Sequence, residues 1–134
     1  MVVIDTGPIV ALFDDSEEQH EECNAAMKTL QGPPATTWPV LTEAFYLLGS
    51  WSKGSVELWD FILSGGLRID NIPEDRWFRM RELMEKYADL PMDFADASLV
   101  ALSEVHKVKT IFTLDRTDFS IYRPKHTPHF QIIP

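Results

Sequence analysis

The chain's β-branched runs are short and do not follow one another directly, and nothing else in the sequence limits the fold as much. VVID (2–5), ATTW (35–38), LRIDNI (67–72), TIFTLD (110–115) and the closing FQIIP read as strands, and helical spacing fills most of the intervals between them. Strands separated by helices cannot pair as tight hairpins. They need crossover connections, which predicts an α/β fold: a mostly parallel central sheet covered on both faces, a three-layer α/β/α sandwich.

The helices carry their own punctuation. TGPIVALF returns to helical spacing after Gly7-Pro8, and Ser16 with Gln19 forms a capping-box pattern for a helix running to Gln31, where Gly32-Pro33-Pro34 stops it. Pro39 suits the first turn of VLTEAFYLLGSW, a helix over 55–64 stops at Gly65-Gly66, and Pro73 opens another to about Asp89. No repeat, linker or low-complexity tract divides the 134 residues, so a single domain over 1–134 is expected.

In open parallel sheets, ligands bind at the carboxyl ends of the strands. Asp5 closes the first strand and Asp115 closes TIFTLD, so two strands deliver a carboxylate to that edge. Glu43 lies among Val40, Leu41, Ala44, Leu47 and Leu48 on the first turns of the helix leaving the second strand, and so starts from the same edge. The segment LPMDFADASLVALSEV supplies two more acids. Asp93 and Asp96 both suit the start of a helix, as N-cap and as an acid near the positive end of the dipole, and spacing alone leaves cap and ligand open for each.

Acids brought together from four segments repel one another. Two like charges ~4 Å apart cost about 4 kcal/mol at an effective dielectric of about 20. Mg²⁺ or Mn²⁺ would neutralise such a cluster, because hard cations take oxygen ligands, whereas the four histidines and the lone Cys23 lack zinc-site spacing. A cation held this way suits hydrolysis of a phosphodiester by activated water.

The order of motifs resembles a known family. IDTGPIVALFD, TTWPVLTEAFYLL, YADLPMDFADASLVALSE and TIFTLDRTDF are similar, block by block and over nearly the whole chain, to PIN-domain ribonucleases, specifically the VapC-like toxins of type II toxin–antitoxin systems. The resemblance implies a Mg²⁺- or Mn²⁺-dependent endoribonuclease, an RNA substrate, a small VapB-like antitoxin partner and a homodimer. Position by position it makes Asp5, Glu43, Asp96 and Asp115 the catalytic metal-binding acids, with Thr6 as the hydroxyl beside the first. Asp118 matches another acidic position of the family. Asp115 ranks above it because it ends the strand, though the choice of fourth ligand stays open. By the same resemblance Asp96 is the ligand and Asp93 the cap, peripheral to the site.

Arg116 and Arg123, near a proposed ligand in sequence, are candidates for holding RNA phosphates. The formal charge of −9 does not favour nucleic acid, but its distribution is uneven. Residues 1–31 hold seven acids against Lys28, while from 105 onward five basic residues face Asp115 and Asp118. His20, His126 and His129 are expected to be solvated, and the four tryptophans to serve the core or a dimer contact before stacking on bases. With no membrane-length apolar stretch, no export-like start and one cysteine, the expected location is the cytoplasm.

Rival readings fit less well. A signalling receiver domain expects paired acids at the first strand end and a lysine at a late one, but here Thr6-Gly7 follows Asp5 and TIFTLD ends in acid. Haloacid-type phosphatases need an acid where Gly7 stands. A PIN fold kept only for binding RNA or protein remains open, although all four acids are present.

Overall fold

The computed structural model describes residues 1–134. Its elements run β1 (Val2–Ile4), α1 (Thr6–Phe13), α2 (His20–Lys28), β2 (Ala35–Thr36), α3 (Trp38–Leu48), α4 (Lys53–Leu63), β3 (Arg68–Ile69), α5 (Trp77–Lys86), α6 (Phe94–His106), β4 (Thr110–Phe112), α7 (Arg116–Ile121) and β5 (Gln131–Ile133). A 3₁₀ turn over Glu74–Arg76 leads into α5.

All five strands are parallel, in the order β3-β2-β1-β4-β5. The chain builds outward from β1 to β3, then crosses back to β4 and β5. Order therefore reverses between β1 and β4, at the point where open α/β sheets bind ligands. The expected parallel three-layer architecture is present, with FQIIP supplying an edge strand.

β1, β2 and β4 are shorter than their apolar runs because the residues that end those runs cap helices instead. Asp5 is the N-cap of α1, its carboxylate accepting from the Thr6 N–H. Thr37 is the N-cap of α3, so only two residues of ATTW remain in the sheet.

Val3, Ile4, Ile111 and Phe112 are fully buried, and α6 lies across the core with every residue from Ala97 to Glu104 buried. A helix apolar nearly all round belongs between layers. Two polar ties fix it there. The Ser98 and Thr37 hydroxyls lie 2.7 Å apart in a buried contact, joining α6 to the start of α3. The Arg79 guanidinium donates from Nε to one Glu104 oxygen and from Nη2 to the other, both at 2.9 Å, joining α5 to α6. Lys125 N–H donates to the same carboxylate, pinning the last loop. Burial alone pushes the Glu104 carboxyl up, but Arg79 and the Lys125 N–H outweigh it and hold the group below its ordinary value.

Several local expectations are corrected. The Ser16–Gln19 capping box does not form: Ser16 donates from its N–H and its hydroxyl to Asp14, and α2 begins at His20 without a side-chain cap. His20 is half-buried, its Nδ1 2.6 Å from the Ala11 carbonyl. His126 is likewise engaged, with Nε2 2.6 Å from the Val108 carbonyl, while His129 is exposed. Trp38, Trp51, Trp59 and Trp77 all lie at the surface, so none is core.

Candidate functional site

The opening of the site is set by β1. Asp5 follows Ile4 directly, and its backbone N–H still donates to Phe112 of β4, so the residue is held in the sheet's plane while its side chain sits at the carboxyl edge. Its two oxygens are both occupied. Oδ1 accepts from Thr6 N–H at 2.7 Å and Oδ2 from the Thr113 hydroxyl at 2.8 Å. Thr113 Oγ1 in turn accepts from Asp115 N–H at 3.0 Å, so one hydroxyl couples the ends of β1 and β4 across the switch point.

Asp115 does not end a strand. It stands three residues beyond Phe112 as the N-cap of α7, a helix the sequence reading missed, with Oδ1 accepting from Asp118 N–H at 3.0 Å. That cap places Asp118 one turn along, on the same side. Asp93 caps α6 in the same manner, accepting from Asp96 N–H at 2.8 Å. Two capped helix starts thus face each other, and each presents an acid from its first turn.

The result is a cluster in which one ligand atom each of Asp96, Asp115 and Asp118 lies within 4.8 Å of the others. Asp5 and Glu43 stand around it and are not part of that triplet. Glu43 is exposed, on a groove it shares with Trp38, Tyr46, Asp93 and Phe94. Asp93 is closer to the site than expected, since its charge acts on Asp5, Asp96 and Asp118 alike.

Electrostatics report the crowding. Burial pushes the Asp5 carboxyl up to about 6, with Glu43 and Asp93 adding to the effect and the Thr6 and Thr113 hydrogen bonds opposing it. Asp96 is pushed further, to about 8, first by burial and then by the charge of Asp5, against the pull of a hydrogen bond from Tyr122. Asp118 is also raised, by desolvation and by Asp115. No lysine, arginine or histidine forms an ion pair with any of these acids.

The donor set suits a hard cation: carboxylate oxygens only, close together, with no internal positive charge to balance them. Asp96, Asp115 and Asp118 would hold it, with Asp5 and Glu43 at its margin.

The three residues expected to contact substrate have partners within the chain. The Thr6 hydroxyl points toward the Val40 carbonyl, 3.5 Å away, so Thr6 meets the Asp5 carboxylate through its N–H, and the hydroxyl bonded to that carboxylate is that of Thr113. Arg116 donates to the Pro134 carbonyl. Arg123 folds its guanidinium onto the carbonyls of Ser120, Ile121 and Tyr122 at the end of α7.

Two site residues escaped the sequence reading. Thr113 had a signal, a hydroxyl placed between an apolar strand and an acid. Tyr122, whose hydroxyl donates to Asp96 Oδ2 at 2.8 Å, had none, because nothing in IYRP points to a residue 26 positions earlier.

A sequence model of the PIN domain matches residues 2–123. The chain belongs to the PIN-domain family. This PIN domain is 27% identical over 135 residues to Ribonuclease VapC26 of Mycobacterium tuberculosis, across 99% of this chain and 100% of the relative. Solved structures show the same fold at lower identity. VapC20 of M. tuberculosis, a sarcin-ricin loop cleaving toxin, superposes with a TM-score of 0.82 at 19% identity, covering 96% of this chain and 99% of the other. A toxin–antitoxin complex from Klebsiella pneumoniae gives 0.70 at 21%, covering 98% and 100%. VapBC2 from Rickettsia felis, bound to a DNA fragment from its promoter, gives 0.71 at 16%, covering all of both chains. No helix of this PIN domain is long and apolar enough to cross a membrane.

Proposed function

We propose that this PIN domain is a Mg²⁺- or Mn²⁺-dependent endoribonuclease and the toxin of a toxin–antitoxin pair. The observation that carries the reading is the convergence of Asp96, Asp115 and Asp118 beside Asp5 at the reversal point of the sheet, without a balancing cation from the chain. Ribonuclease VapC26, similar along its whole length, supports RNA as the substrate.

Asp5, Glu43, Asp96 and Asp115 are the catalytic acids in this reading, with Asp118 as a further ligand of equal standing to Asp115. Two hydrogen bonds hold Asp5 in one orientation, so the carboxylate does not reorganise during the reaction. Burial pushes the Asp5 and Asp96 carboxyls up, and positive charge arriving between them would favour their ionised forms. Alone, the same acids would repel a phosphodiester. A bound divalent cation supplies what they lack: a water acidic enough to attack and charge stabilisation for the phosphoryl oxygens.

The surface has room for partners. A groove of about 830 Å³ lined by Pro39, Ile72, Trp77, Met80, Met84 and Phe94 adjoins the Glu43 groove and suits a second copy of the chain. On α3 and α4, Tyr46, Leu47, Trp59 and Leu63 are exposed and suit an amphipathic antitoxin segment. The toxin–antitoxin complexes of the same fold support such a partner. In this reading the enzyme acts in the cytoplasm.

The test is incubation of the partner-free protein with a mixed pool of structured and unstructured RNAs in Mg²⁺, in Mn²⁺ and in chelator, beside Asp96→Asn. Cleavage that needs the metal and vanishes in the variant supports the proposal. Folded protein that binds the ion and leaves every RNA intact would turn the assignment toward a binding-only PIN domain.

A further inference from the structure

We infer that Tyr122 is a positioning residue for the acidic centre: its hydroxyl ties Asp96 of α6 to the end of α7 and so fixes the spacing of the carboxylates on the two helices. The inference rests on the reading of Asp96 as a metal ligand.

The geometry is specific. Tyr122 immediately follows α7, whose start carries Asp115 and Asp118, and its hydroxyl donates to Asp96 Oδ2 at 2.8 Å. The two helices that supply the cluster are therefore joined by one hydrogen bond placed at the cluster itself. Asp96 has one oxygen taken by the phenol, which leaves the other available to a cation. Such an outer contact restricts a ligand to a single orientation.

The phenol is itself immobilised. Tyr122 is fully buried, with its ring edge-on to Phe119 at 5.0 Å and to Tyr87 at 5.1 Å between centroids. Tyr87 closes the arrangement, its hydroxyl oxygen accepting from Arg123 N–H at 2.8 Å, directly after Tyr122 in the chain. Ring packing sets where the hydroxyl can be, and the hydroxyl sets the carboxylate. A phenylalanine would satisfy the packing fully, so a residue needed only for the core would not require the oxygen.

Tyr122→Phe separates the two roles, since it keeps the ring and removes the donor. The full chain, its Tyr122→Phe variant and Asp96→Asn are compared by Mn²⁺ titration, by thermal unfolding in chelator and by near-ultraviolet circular dichroism. The expected result is Mn²⁺ affinity lower by about 10–100-fold in Tyr122→Phe, with aromatic packing unchanged. Wild-type Mn²⁺ affinity in Tyr122→Phe, alongside lost affinity in Asp96→Asn, overturns the inference and leaves the metal reading standing. Unchanged affinity in Asp96→Asn overturns both. If Tyr122→Phe loses its aromatic packing, Tyr122→Leu decides, since both variants lack the hydroxyl and only leucine also lacks the ring: equal affinity losses assign the effect to the hydroxyl and uphold the inference, whereas a larger loss in the leucine variant assigns it to the core and overturns the inference.

Discussion

Asp93 and Asp96 divide two jobs within one helical turn: the Asp93 side chain accepts from the Asp96 backbone N–H at 2.8 Å, while the Asp96 side chain turns into the acidic cluster. One acid starts the helix and the other uses the start. The two should separate cleanly on mutation. Asp93→Ala is expected to cost about 1 kcal/mol of stability, read as a lower urea midpoint, while metal binding persists. Asp96→Asn is expected to keep the fold and lose metal-dependent cleavage.

The raised carboxyls set a pH dependence with a definite sign. In the folded chain Asp5 and Asp96 hold their protons up to about 6 and about 8, whereas unfolded they release them near the ordinary value of 3.8. The folded state therefore binds more protons between those limits, and stability falls as pH rises through them. Thermal unfolding in chelator should show a higher midpoint in mild acid than in mild alkali, and Asp96→Asn should flatten the slope. Glu43 and Asp93 beside Asp5, and Asp93 and Asp115 beside Asp96, push in the same direction. Added Mn²⁺ should restore the alkaline midpoint in the wild type.

Thr113 joins three parts of the site through one oxygen, donating to Asp5 and accepting from Asp115 N–H. Thr113→Val keeps the shape and leaves a buried carboxylate and an amide without their partner. The expected loss is about 1–3 kcal/mol, measured by chemical denaturation, together with a fall in cleavage rate. Thr113→Ser should recover most of both.

Arg79 and Glu104 form a two-pronged pair far from the acids, and the Glu104 side chain is only 3% exposed. Arg79→Ala strands that charge. A destabilisation of about 3–5 kcal/mol is expected, with the replacement of both partners by apolar residues costing much less. Urea unfolding of the single and double variants distinguishes the two cases.

How far the sequence carried depended on the range of the interaction. The parallel sheet was legible because strand-helix alternation is local and repeated. Asp93 as a helix cap was legible, because helix-start chemistry spans three residues, and the family resemblance singled out Asp96, which the fold places in the acidic cluster. α7 was missed because RTDFSI is six residues long, too short for periodicity to show, and its stability comes from the Asp115 cap and buried Phe119. The backbone partners of Arg116 and Arg123 were not legible either, because a guanidinium's hydrogen bonds to carbonyls depend on where the chain's last turns fall. The Thr113 and Tyr122 contacts span 108 and 26 residues, and only the folded chain displays them.

The most direct measurement is cleavage of one susceptible RNA in ¹⁸O-labelled water with Mn²⁺, under single-turnover conditions, followed by mass analysis of the fragment ends. The account predicts label in a linear terminal phosphate, no label or cleavage in chelator, and no cleavage by Asp96→Asn. Fragments ending in an unlabelled cyclic phosphate, or equal cleavage without metal, would contradict it.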